Sequence, residues 1–146
     1  MLKYLLKKTV LYKPLTRFYD RLILEREYWK HITKILFADR ETRVFFIFPF
    51  FHTGGAELVH LNIVKLISDK SMTLFTLPSS NEHFLKEFQL HSNCIEIEQL
   101  IRQPWRKKIM LRAVSHNINR QHRTSIFGCH SIFFYELLPL LKKEIR

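Results

Sequence analysis

Apolar positions along this chain fall into short solid runs separated by stretches of helical spacing, and that alternation predicts strands interleaved with helices. The clearest unit runs from Arg43 to Ser68, RVFFIFPFFHTGGAELVHLNIVKLIS. Val44 to Phe50 is apolar at every position, with Pro49 near its end, so it suits a strand covered on both faces, as in a parallel sheet. After Gly54 and Gly55 the period changes. Ala56, Val59, Ile63, Val64 and Ile67 recur at helical spacing, and Glu57 falls in the first turn, where the helix dipole favours a carboxylate. The glycine pair between them marks a turn that needs positive φ or close approach by another group.

The same switch of period repeats down the chain. Met72 to Leu77 predicts a second strand, Pro78 to Asn81 a turn with capping residues, and Asn81 to Leu90 a short helix. Cys94 to Ile97 alternates as a third strand, and Gln103 with Pro104 closes the following loop. Trp105 to His122 predicts a helix with Trp105, Ile109, Ala113, Val114 and Ile118 inward and Arg106, Lys107, Lys108 and Arg112 outward. Ser125 to Cys129 is a fourth strand, with His130 and Ser131 at its carboxyl end, and Ile132 to Arg146 is a last helix interrupted by Pro139. This order predicts an α/β fold over residues 41–146: a three-layer Rossmann-like domain with a mostly parallel sheet and right-handed crossovers.

Residues 1–40 predict a basic amphipathic helical leader. Leu2, Leu5, Leu6, Leu11, Leu15, Phe18, Leu22 and Ile23 form an apolar face beside Lys3, Lys7, Lys8, Lys13, Arg17 and Arg21, and Pro14 is expected to break or kink it. With its aromatics, such a helix suits a membrane interface or packing on its own domain.

Composition narrows the classes. A chain of 146 residues with thirteen Phe fits one globular domain and has no room for two. No window is apolar enough to span a bilayer, and the opening residues lack a signal peptide's apolar core, so a cytoplasmic location is expected, peripheral at the inner face of the membrane if the leader binds lipid. Cys94 and Cys129 show no CxxC spacing, and His83 and His91 lack a third partner, so neither a metal site nor a cofactor is called for.

The net charge of +11 is unevenly placed: +6 over residues 1–43, −3 over 44–101, +7 over 102–123 and +1 over the rest. A mildly acidic centre between two basic flanks argues for attraction to phosphates or anionic lipid rather than for a uniformly basic nucleic-acid binder. The basic side of residues 105–122 also lacks the interleaved aromatics that single-strand binding needs, so no nucleic-acid partner is expected.

Candidate chemistry concentrates at the glycine pair. A glycine turn opening a helix leaves backbone N–H groups free at a positive helix end, which is how a phosphate or diphosphate is commonly held; a tight turn with no ligand is the alternative. Neither GxGxxG nor Gly-Lys-Ser/Thr is present, so it is neither a dinucleotide fingerprint nor a P-loop. His130, at the end of the fourth strand, would lie at the same carboxyl edge of the sheet, where ligands bind in open parallel folds.

The run IFPFFHTGGAELVHLNIVKLI resembles the first strand, glycine loop and first helix of family 4 glycosyltransferases of the two-domain GT-B type, with Gly54, Gly55, Ala56 and Glu57 matching the family's GGAE. The likeness is dense over some twenty-five residues and loose from there to the C-terminus. It implies the N-terminal, acceptor-side half of an enzyme that moves a sugar from a nucleoside diphosphate sugar to a glycan or lipid-linked acceptor hydroxyl, with retention, in cell-envelope polysaccharide synthesis. By the same resemblance, Gly54 and Gly55 would admit the diphosphate, Glu57 would steady the loop and helix start, and His130 would be the catalytic contact to sugar or acceptor. His52 is a second candidate for acceptor contact. Glu136 and Glu144 reproduce the family's E-x7-E spacing, but they fall on the terminal helix, outside any donor domain.

A GT-B site lies between two domains, so these residues alone are expected to transfer little or no sugar unless a separate donor-domain chain completes the cleft. The rival expectation is a non-catalytic basic module in which residues 1–40 and 102–123 contact anionic membrane or nucleic acid.

Overall fold

The computed structural model describes residues 12–36, 42–50, 55–67, 70–78, 82–121 and 124–141. Helix α1 spans Tyr12–Leu36, β1 Val44–Phe48, α2 Gly55–Leu66, β2 Ser71–Phe75, α3 Glu82–Gln89, β3 Asn93–Glu96, α4 Glu98–Ile101, α5 Pro104–Arg120, β4 Ser125–Gly128 and α6 Ile132–Leu137, with a 3-10 turn over Leu138–Leu140. The four strands form one sheet in the order β3-β2-β1-β4, every pair parallel. The fold is therefore α/β with an all-parallel sheet, consistent with a Rossmann-like domain.

The apolar run at β1 places it in the middle of the sheet. All five of its residues are buried because both faces are covered. Phe45 and Ile47 join Met72, Leu74 and Ile95 in a core beneath α1 and α5, while Val44, Phe46 and Phe48 join Phe75, Leu61, Val64 and Phe88 beneath α2 and α3. The pleat alone sorts these side chains into two cores.

Much of the stretch read as a leader is a packed layer of the domain. Tyr28, Ile32 and Ile35 are buried, and α1 lies along α5. Arg106 fixes that contact. Its guanidinium pairs with Glu25 and lies 5.3 Å from the ring of Tyr28 and 5.2 Å from that of Trp105, while Tyr28 Oη donates to the Arg106 carbonyl at 3.1 Å. Lower down, the Asn117 side-chain amide donates to the Ile35 carbonyl.

Several expectations are corrected. Arg106, expected outward on α5, is 1% exposed, whereas Trp105, expected inward, is 47% exposed. The cause is Glu25, which supplies a counter-charge inside the α1–α5 contact. Pro14 falls in the first turn of α1, where a missing N–H costs no helical hydrogen bond. The last helix stops at Leu137 and tightens to 3-10 geometry around Pro139. A short helix α4, not anticipated, follows β3 directly.

The buried stripe of α2 is also rotated from the one expected. Glu57, His60, Leu61 and Val64 face inward, while Leu58 and Val59 are more than half exposed. Both stripes have helical spacing, so periodicity could not choose between them.

Candidate functional site at the carboxyl end of strands one and four

The strand order reverses at β1: the chain winds outward through β2 and β3, then crosses back to place β4 on the other side. In an open parallel sheet the crevice at such a reversal, beyond the carboxyl ends of the strands, is where ligands bind. Here it is bounded by the start of α2 after β1 and by Cys129, His130 and Ser131 after β4.

Gly55 is the first residue of α2. A Cβ built on it meets no atom of the described residues within 4 Å, so on their side the helix start is sterically open. The expectation of positive φ does not apply to this residue, since none of the described glycines adopts one. Instead, the left-handed conformation occurs at His130, at φ 50°. That turn lets Ser131 begin α6 at once. Ser131 Oγ accepts from the Phe134 amide at 3.4 Å and lies 3.0 Å from Thr76 Oγ1, linking the ends of β4 and β2. Gly128 is required for a different reason: a Cβ there would stand 2.4 Å from the Phe134 ring.

Between these two turns lies a contact that the sequence reading did not anticipate. His60 Nε2 is 2.9 Å from Cys129 Sγ, and the imidazole stacks on Phe48 with centroids 4.3 Å apart and planes 7° from parallel. Burial lowers the His60 pKa, with the nearby His130 adding to that effect and the Glu57 carboxylate opposing it. Burial raises the Cys129 pKa, and Glu57 raises it further. The pair is therefore a neutral thiol against a neutral imidazole. His60 Nδ1 is buried and has no hydrogen-bond partner among the described residues. The available signal for His60 was its position one turn after Glu57, in line with Leu61 and Val64.

Of the sequence-predicted site residues, the fold brings Glu57 and His130 to the same pair of groups, His60 and Cys129, and leaves Gly55 open at the helix start. Glu57 is buried and His130 is exposed. His52 and Gly54 lie outside the described residues. None of Glu57, His60, Cys129, His130, Ser131 or Thr76 carries a fixed positive charge, so an anion here would depend on backbone N–H groups at the start of α2. Among the described residues, no group of three or more His, Cys, Asp and Glu could hold a metal ion.

Among the described residues of the basic stretch 102–123, Arg102, Arg106, Lys107 and Arg120 have partners within the fold. Arg102 bonds Glu98 at 2.6 Å, Lys107 bonds Glu136 at 2.6 Å, Arg106 is buried against Glu25, and Arg120 donates to the Leu36 carbonyl. Lys108 and Arg112 remain exposed on α5. No helix among the described residues is long and apolar enough to cross a membrane. Comparison with protein-family models, with curated proteins and with solved structures finds no match for this chain.

Proposed function

We propose that the chain is the acceptor-side half of a glycosyltransferase of the GT-B type, acting on a nucleoside diphosphate sugar and an acceptor hydroxyl. The observation that carries this reading is the unobstructed helix start at Gly55, set at the strand-order reversal beside the turn from which His130 emerges. An open glycine at a helix start admits a diphosphate to backbone N–H groups, and His130 is exposed at the neighbouring strand end to meet the sugar or acceptor. Glu57 occupies the first turn and holds the inner side of the helix start rather than the ligand side.

A single Rossmann-like unit supplies one wall of a GT-B cleft. The groups named at this wall include no cation to neutralise a leaving diphosphate, so the second domain must provide that stabilisation. Two outcomes are expected. Residues 1–146 alone give no or feeble transfer from a panel of sugar nucleotides, and nucleoside diphosphates at millimolar concentration shift the backbone amide resonances of Gly55 and Ala56. Efficient turnover by the chain alone would overturn the half-site, and unmoved Gly55 and Ala56 resonances would remove the sugar-nucleotide reading.

A second reading, peripheral attachment to anionic membrane, is favoured by one surface. On α1, Tyr19, Leu22 and Trp29 are each at least half exposed and stand among Arg21, Arg26 and Lys30. Sedimentation with vesicles of anionic and of neutral lipid separates this from the glycosyltransferase reading, with which it is compatible. The ion pairs of Arg102, Arg106 and Lys107 favour α1 over α5 for such a contact.

A further inference from the structure

A second concavity opens at the same edge of the sheet, beyond β2 and β3, with a volume of about 540 Å³. One wall is a face of α1: Asp20, Ile23, Leu24, Glu27 and His31, where Asp20 is three and four residues from Ile23 and Leu24, and Glu27 three and four from Leu24 and Ile23. The other wall comes from Leu77 and Pro78 after β2, Glu96 at the end of β3, and α4. The packing of α1 on the domain supplies the first of these walls.

Its chemistry is one-sided. The chain carries a net charge of +11, yet among the described residues four carboxylates line this cavity, those of Asp20, Glu27, Glu96 and Glu98, against one guanidinium, that of Arg102. That guanidinium is already committed to Glu98 at 2.6 Å, and Glu27 is met by Lys30 at 3.3 Å. Asp20 and Glu96 have no ion pair among the described residues. Facing walls thus present one uncompensated carboxylate each, and ionised carboxylates only accept hydrogen bonds. His31 Nδ1 is also buried without a partner among the described residues. The rest of the described lining is Gln99 and the apolar Ile23, Leu24, Leu77, Pro78 and Leu100.

A ligand for such a cavity must donate, carry positive charge and present a hydrocarbon segment. Phosphates and acidic sugars are excluded by sign, and metal ions by the lack of a three-ligand group among the described residues. We infer that the cavity between α1 and the carboxyl ends of β2 and β3 binds an aliphatic amine, its ammonium between Asp20 and Glu96 and its stem against Ile23, Leu24 and Leu77. This site is separate from the one at Gly55 and stands whether or not the chain is a glycosyltransferase. Burial raises the Glu96 pKa, in keeping with a carboxylate that lacks a counter-charge.

The test uses the full chain, putrescine as probe and its uncharged diol counterpart as control, with titration calorimetry and backbone amide resonances as readouts. Saturable putrescine binding that weakens with salt, shifts the amides of Glu96 and Gln99 but not those of Gly55 and Ala56, and falls about tenfold in Glu96→Gln is expected. Asp20→Asn, at an exposed residue of the cavity wall, should cause a comparable loss without affecting folding. Equal binding of the diol, unchanged affinity in both variants, or resonance shifts confined to other surfaces would each overturn the assignment.

Discussion

His60 Nε2 and Cys129 Sγ, 69 positions apart in sequence, stand 2.9 Å apart and join the first helix after β1 to the end of β4. This contact ties the helix that Gly55 opens to the strand end that His130 follows. The stacking of His60 on Phe48 anchors the imidazole to the central strand as well.

The pH dependence of stability follows from that burial. His60 and His31 both have pKa values lowered from 6.5, in each case chiefly by desolvation. Above about pH 6.5 both are neutral folded and unfolded, so they contribute no slope; below it the unfolded chain takes up protons that the folded chain resists, and stability falls. Urea unfolding across this range should show a midpoint that drops with acidification. The double variant His31→Gln, His60→Gln should show a shallower drop, and an unchanged slope would refute the assignment.

Arg106→Met should destabilise the chain by about 3 kcal/mol, because it strands the Glu25 carboxylate and removes the cation from two aromatic rings. Arg106→Lys should recover only part of this, since an ammonium lacks the planar fork. Limited proteolysis should then cut within α1 first. Chemical denaturation gives the magnitude.

The two described glycines should respond oppositely to alanine. At Gly55 the new Cβ meets open space, and the helix gains up to about 1 kcal/mol, while any nucleoside diphosphate contact is weakened. At Gly128 the Cβ overlaps the Phe134 ring, and a loss of about 1–3 kcal/mol is expected. The double variant Gly128→Ala, Phe134→Ala should lose less stability than the two single losses summed, because Phe134→Ala removes the ring that the new Cβ overlaps and the new methyl partly fills the space left.

Cys94 should be inert. Its pKa is raised to about 12, mainly by burial, so almost no thiolate forms near neutral pH in the folded chain. Reaction with a disulfide reagent at pH 8 should be slow at Cys94 until denaturant is added. Fast native labelling would show that β3 opens locally.

The sheet itself was legible because its signals are local. Five consecutive buried positions in β1 require cover on both faces, and a glycine pair followed by helical spacing has one simple continuation. From these came the parallel strands, the element order and the helix start at Gly55. Residue choice on a helix face was less legible. On α2 two stripes satisfy the same period, and the apolar one was preferred although the sheet took the stripe bearing Glu57 and His60.

What the sequence by itself determined is the alternation of elements and the center of the sheet, since burial of an apolar strand and the period of a helix depend only on neighbours a few positions away. What only the tertiary structure decided is which polar groups come together: Arg106 pairs with Glu25, His60 meets Cys129, and Asp20 and Glu27 of α1 share a cavity with Glu96. A charged or ring side chain is buried only where a distant segment supplies its partner, and that partner's position is set by the packing of whole layers, not by any spacing along the chain.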